Sequence, residues 1–407
     1  MSQAWLSEPL ERLVEPDSPI TYGVVKPGDP GEVPFVRGGD IADGRVLVDQ
    51  LRTISAEVSH QYKRTLLQGG ELLISLVGQP GQVAVAPPEL AGSNIARQVG
   101  LIRLSHRVLS SFVSYFLRSP DGLAGLGART GGSVQQVINL SDLRQVLVPV
   151  PERQEQQRLV DLLDEAFEGI ATAKANVEKN LKNARELFES ALDAALSHHG
   201  GDFAETTLGD ELDLVAGYAF PSKGYTDAAN GIRLLRGDNI MQGHLRWDDA
   251  KGWPAEDVAP YARFALQQGD VVLAMDRPWV KAGLKRAQIG ADDLPCLQLQ
   301  RTARLRPRRS MSVDFLYHLT GSKSFRRHLL RVQTGLGVPH ISGRQIESFR
   351  FMLPPPNDQK TIAGRLDDLQ QRSEHLEETY QQKVSALEEL KKSLLHEAFS
   401  GRRLGTQ

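Results

Sequence analysis

The 407-residue sequence contains one cysteine, Cys296, so it offers neither an intrachain disulfide nor a metal site built on two or more thiolates. It gives no basis for redox chemistry. No run approaches the roughly 18 to 20 consecutive apolar residues of a membrane-spanning helix. The opening MSQAWLSEPLERL carries Glu8 and Glu11 where a secretory signal would be basic and then apolar, so a cytoplasmic location away from any membrane is expected. Net charge is almost absent too. With 48 Lys and Arg against 50 Asp and Glu, −2 overall, any attraction to nucleic acid must come from how the charge is distributed. Catalytic signatures are missing: there is no Walker A loop, no H-E-x-x-H, no G-x-S-x-G elbow and no C-x-x-C. GLGVPH at 335–340 lacks the third glycine of a dinucleotide fingerprint and reads as a turn, and His198-His199 has no further ligand beside it. The expectation is a chain that is not an enzyme, with no catalytic residue, cofactor or metal of its own.

The residues that are present repeat. VPFVRGGDI at 33–41 returns as IRLLRGDNI at 232–240, which sets Arg37 against Arg236 and Ile41 against Ile240, 199 positions apart. At the same spacing, LLQGGELLIS (66–75) matches ALQQGDVVLA (265–274). Further along the spacing settles at 203, pairing Pro151 with Pro354, Gln156 with Gln359 and Leu187 with Leu390. A period of about 200 residues is too long for a solenoid and fits a duplicated domain.

Each copy divides into a globular part and a helix. The globular parts, 1–151 and 200–353, carry short Val/Leu/Ile runs such as GELLIS, QVAVA and GDVVLAM between Gly, Pro and Asp, together with helical stretches such as SSFVSYFLRS and VDFLYHLTGS. They read as mixed α and β. Residues 152–198 then lack proline and contain a single glycine, Gly169. The second copy opens at Pro354-Pro355-Pro356 with Asn357 as the expected N-cap and stops at Gly401. Two helices of about 45 residues, roughly 65 Å each, follow from this.

Heptad spacing on the first helix selects Leu159, Leu163, Ala166, Ile170, Ala173, Val177, Asn180, Ala184, Leu187, Ala191 and Ala194, of which only Asn180 is polar. On the second it selects Ile362, Leu366, Leu369, Ser373, Leu376, Tyr380, Lys383, Leu387, Leu390, Leu394 and Glu397. Both fit a coiled-coil seam, and the polar break falls at matching positions, Asn180 and Lys383, with Leu181 and Val384 beside them, as a local shift of seam would produce. Charge is uneven along the chain. Residues 301–331 hold Arg301, Arg304, Arg306, Arg308, Arg309, Lys323, Arg326, Arg327 and Arg331 against Asp314 alone, a cluster large enough to contact several phosphates.

The tandem layout, the Arg-Gly-Gly-Asp-Ile and Arg-Gly-Asp-Asn-Ile runs, the Pro-x-x-x-Glu/Asp-Gln helix entries (Pro151, Glu155, Gln156; Pro354, Asp358, Gln359) and the run LKKSLLHEAFSG at 390–401 resemble the specificity subunit of type I restriction-modification systems. The resemblance covers the whole chain. It implies an α+β chain with target recognition domains at 1–151 and 200–353, a central spacer helix at 152–199, a C-terminal spacer helix at 354–401 and a tail at 402–407. Each domain would read half of a split, asymmetric site in double-stranded DNA. The helices would form an antiparallel coiled coil that sets the spacing and docks two modification (methyltransferase) subunits, with restriction/translocase subunits beyond them. S-adenosylmethionine, ATP and Mg would sit on those partners. Arg, Asn and Gln in loops are the natural readers of guanine and adenine edges. The candidates are Arg37, Gln135, Gln136 and Asn139 in the first domain and Arg236, Asn239, Arg277, Lys281, Arg301 and His340 in the second, with Arg306, Arg308 and Arg309 on phosphates. The alternative is an adaptor whose coiled coil docks partners without reading bases.

Overall fold

The computed structural model describes residues 5–127, 137–197, 203–280, 283–308, 310–335 and 338–400. It forms two compact units, residues 1–178 with 381–407 and residues 179–380, so each unit combines one globular part with segments of both long helices. Among the described residues no helix is long and apolar enough to cross a membrane.

In the first unit a four-stranded antiparallel sheet runs in the order Thr21–Tyr22, Val99–Ile102, Leu72–Ser75, Val83–Val85. The central run Leu72-Leu73-Ile74 is wholly buried because both faces are covered, which explains a continuous apolar run in place of alternation. Leu72 and Ile74 join a core with Phe112, Phe116 and Leu117 of the helix Ser110–Arg118. Leu73 points the other way, into a cluster with Val36, Ile95 and Leu101. There the strand Val33–Val36 pairs antiparallel with Arg52–Ile54 and parallel with Asn94–Ile95.

The second unit repeats this plan. Its sheet runs Leu212–Ala216, Thr302–Pro307, Val271–Ala274, Arg286–Gln288, and Ile232–Leu235 pairs antiparallel with Lys251–Trp253 and parallel with Cys296–Gln298. Val271 and Leu273 face one core while Val272 and Ala274 face another. The helix Val313–Gly321 takes the place of Ser110–Arg118. Burial pushes the Cys296 thiol up to about 12, so it remains a protonated, apolar filler.

The long helices are Arg153–Ser197 and Pro356–Phe399. The second starts at Pro356, so Asn357 lies inside the first turn and is not the N-cap; a proline at the first helical position loses no intrahelical bond. Their entry motif has a physical role. Gln156 is fully buried, accepts from the Leu109 amide (2.9 Å) and donates to the carbonyls of Pro151 (2.9 Å) and Arg107 (3.1 Å). Gln359 does the same with the Ser312 amide and the carbonyls of Pro354 and Ser310, each at 2.8 Å. Each long helix is thus fastened to the start of one helix of its own globular part, Ser110–Arg118 or Val313–Gly321. One further bond repeats the pattern: Tyr115 donates to Asp164, and His318 meets Asp367 at 2.7 Å.

Pairing of the helices is antiparallel within each unit. In the first, Lys391 lies over the Phe167 ring while Lys174, further along the first helix, bonds Glu388, further back on the second. Leu395, Ala398 and Phe399 complete the first unit's core, with Phe399 edge-on to Phe112 (5.4 Å) and Phe116 (5.5 Å). In the second, Arg185 forms a bidentate pair with Glu377, and Leu196 and Ile362 pack on the same core.

Most of the expected seam is inward: Leu159, Leu163 and Leu366 are buried, and Ile170, Val177, Ile362, Leu369, Leu387 and Leu394 are half-buried. Three positions require correction. Leu187, Leu376 and Leu390 are 70%, 42% and 47% exposed, and Phe188, Glu377 and Lys391 turn inward in their places. On the first helix the shift lies near Asn180, where Leu181 takes up the stripe; on the second it is already under way at Leu376, before Lys383, and Val384 continues it, as happens where a 3.5-residue repeat loses step with a straighter helix.

Candidate nucleic-acid interface

In the second unit four chain segments converge and line a cleft of about 730 Å³, formed by Arg236, Gly237, Asp238, Asp276, Arg277, Leu299, Gln300, Arg301, Val338 and His340. Sequence neighbours place little of this. Arg236 follows the strand Ile232–Leu235, Asp276 and Arg277 follow Val271–Ala274, and Arg301 sits in the turn before Thr302–Pro307. Main-chain bonds tie the segments together: Met275 N to Arg301 O (2.9 Å), Ile341 N to Met275 O (2.8 Å) and Arg277 N to Pro339 O (3.0 Å). Asp276 is the hub. It forms an ion pair with Arg301 (Nη1 to Oδ2, 3.0 Å) and meets Nδ1 of His340. Both Arg277 (φ 46°) and Arg301 (φ 67°) hold the left-handed backbone conformation, unusual for residues with a side chain and concentrated at functional sites. A smaller cleft of about 380 Å³ adjoins, sharing Arg236 and Asp238 and adding Arg246 and Lys285.

The same positions in the first unit carry different chemistry. Its antiparallel bridge Val77–Val137 stands where the second unit has Asp276–His340. Leu76 N bonds Gln98 O (2.8 Å) as Met275 N bonds Arg301 O. Valine, valine and glutamine therefore replace the aspartate, histidine and arginine hub on an equivalent scaffold.

Of the expected readers, Arg236, Arg277, Arg301 and His340 do come together in this cleft. Asn239 is buried; it accepts from the Arg236 amide (3.0 Å) and donates to Arg246 O (2.9 Å), which braces the loop. Asp40 has the same place in the first unit and binds Arg37 through two side-chain bonds of 3.0 and 2.7 Å, which hold the guanidinium and raise its pKa. Asn139 is exposed and donates to Asp142 at 3.2 Å, where the helix Leu140–Arg144 begins. Gln135, Gln136, Lys281 and Arg309 lie outside the described residues.

The basic run at 301–331 is less free than its count suggests. Arg304 is buried, bonds Asp213 (2.5 Å) and the Arg263 carbonyl, and has its pKa lowered by burial. Arg306 forms a bidentate pair with buried Asp270 at 2.6 and 2.7 Å, and Arg326 and Lys323 both reach Glu189. Arg308 is exposed, with one bond to the Asp210 carbonyl. Strand register explains this, because Arg304 and Arg306 share one face of Thr302–Pro307. Local sequence does not single out Asp276 as the hub of the cleft. The available signal was an acidic residue just beyond a buried strand where the other repeat has valine.

The family model of the type I restriction modification DNA specificity domain matches residues 25–183 and 261–386. The chain belongs to this family. Among curated members, the EcoAI specificity subunit of Escherichia coli is 36% identical over 163 residues, 40% of this chain and 27% of that protein. The EcoBI specificity subunit of Escherichia coli is 28% identical over 216 residues, 52% of this chain and 45% of that protein. The chain thus spans less than half the length of these two specificity subunits. A chain from a solved structure concerning assembly and conformational transition of the type I R-M system shares the fold, with a TM-score of 0.78, 20% identity and 98% of both chains covered.

Proposed function

We propose that this chain is the non-catalytic DNA-recognition subunit of a type I restriction-modification complex, in which each globular part reads one half of a split, asymmetric site. The observation that carries this reading is the divergence of equivalent positions on a duplicated scaffold: Asp276, Arg301 and His340 in one unit, Val77, Gln98 and Val137 in the other. A symmetric dimer reads a palindrome, whereas two diverged copies on one chain suit two different half-sites. The antiparallel helices set the separation of the half-sites and dock modification subunits. Those partners supply S-adenosylmethionine and adenine methylation, and restriction subunits supply ATP-driven translocation and cleavage. Arg308 contacts phosphate, and residues lining the cleft contact base edges in the major groove.

Sequencing methylated adenines in cells with and without the chain tests this. A bipartite asymmetric motif that disappears with the chain is expected. Methylation that persists unchanged without it, or complexes that bind every DNA sequence equally, would favour an adaptor without base readout.

A further inference from the structure

The cationic side chains of the second unit's cleft differ in what holds them. Arg236 gives Nη2 to the Asp249 carbonyl at 2.8 Å. Arg277 is exposed and its guanidinium has no hydrogen bond or ion pair among the described residues, so nothing fixes its plane. Arg301 combines both properties needed for readout. Its side chain is 68% exposed, yet one nitrogen is pinned to Asp276 at 3.0 Å, and its backbone is fixed by the bond from Met275. Asp276 is itself only 25% exposed and is held on its other side by His340, at the end of a strand buried on both faces.

A guanidinium whose one nitrogen is ion-paired to a held carboxylate has a restricted orientation and still offers its remaining donors. That is the requirement for pairing with O6 and N7 of guanine, an interaction that depends on two coplanar N–H groups. We infer that Arg301 is a guanine-reading residue of the half-site recognised by the second unit, and that Asp276 is its positioning residue. The inference rests on the reading of the chain as a DNA-recognition subunit. The first unit has no counterpart of this pair at the equivalent positions, where Gln98 and Val77 supply neither the guanidinium nor the carboxylate.

The test uses the full chain assembled with its modification subunits and duplexes carrying the motif defined by methylated adenines. Each guanine of the second unit's half-site is replaced in turn by 7-deazaguanine, which keeps base pairing and removes the N7 acceptor. At one guanine the unaltered complex should bind roughly tenfold more weakly, while the Arg301→Ala complex, already weakened about tenfold on the unmodified site, should be indifferent to the replacement. Arg301→Lys should not restore the discrimination. Asp276→Asn, close to isosteric, should blunt it at that same guanine, and Asp276→Glu should recover part of it, with the thermal unfolding midpoint of Arg301→Ala unchanged. Arg301→Ala weakening all DNA equally would make the residue a phosphate contact and overturn the assignment. So would retained sensitivity at that guanine in Arg301→Ala, or a half-site without guanine. An unaltered complex that binds all sequences alike would overturn the recognition reading itself, and this assignment with it.

Discussion

Replacing Gln156 with leucine removes three hydrogen bonds and keeps nearly the same volume, so it isolates the polar role of the helix-entry motif. The side chain is fully buried, and the change leaves the Leu109 amide and the carbonyls of Pro151 and Arg107 without that partner. Leu109 occupies the N-cap of Ser110–Arg118, where its backbone amide has no intrahelical partner, and Gln156 from the long helix accepts from it. A buried group left unpaired costs about 1–3 kcal/mol, and only the bond to the Pro151 carbonyl is fully buried. The expected loss is roughly 2–5 kcal/mol. Urea unfolding of the full chain measures it, and hydrogen exchange localises it: protection of the Leu109 amide and of Ser110–Arg118 should fall, with the helix Val313–Gly321 unaffected. Gln359→Leu should produce the mirror result. A loss under about 0.5 kcal/mol, or unchanged exchange at Leu109, would refute the claim that these glutamines fasten the long helices to the globular parts.

Phe399→Ala should destabilise the first unit by about 3–5 kcal/mol in denaturant titration, since the ring is 8% exposed and packs edge-on against Phe112 and Phe116. Burial holds the His318 imidazole below its ordinary 6.5 although Asp367 pulls the other way. The unfolded chain therefore binds that proton more readily, and stability should decline as pH falls below about 6.5, until it levels off under the folded value. His318→Tyr, which copies Tyr115, should flatten the dependence in unfolding curves taken between pH 7.5 and 5. Arg306→Ala, which leaves buried Asp270 unpaired, should lower the unfolding midpoint, whereas Arg308→Ala should weaken binding to every DNA sequence and reduce its salt slope by about one in titrations at several salt concentrations. One heptad inserted into each long helix near Asn180 and Lys383 should lengthen the spacer of the methylated motif by about 3 base pairs, from roughly 10 Å of helix, and leave both half-sites intact. An unchanged spacer would end the ruler reading.

The sequence by itself determined whatever depends on local pattern. The duplication, the buried runs LLIS and VVLA, the helices SSFVSYFLR and VDFLYHLTG and the two long helices are all written in periodicities of two and 3.6 residues and in the placement of Gly and Pro. Even the polar break at Asn180 marked where the seam of the first helix shifts. What the pattern could not carry was the frame beyond that break, because a helix accommodates a one-residue shift without changing its own hydrogen bonds. Leu187 and Leu390 consequently turned outward. Nor could it sort the arginines. Whether Arg304, Arg306 or Arg301 is free depends on acidic partners that strand pairing brings in from 91, 36 and 25 residues away, Asp213, Asp270 and Asp276. The hub of the cleft is likewise a tertiary product. Asp276 and His340 lie 64 residues apart and meet because an antiparallel bridge sets them side by side, and the matching bridge in the first unit brings two valines together. Local sequence specifies which backbone forms, whereas long-range pairing decides which side chains share a site.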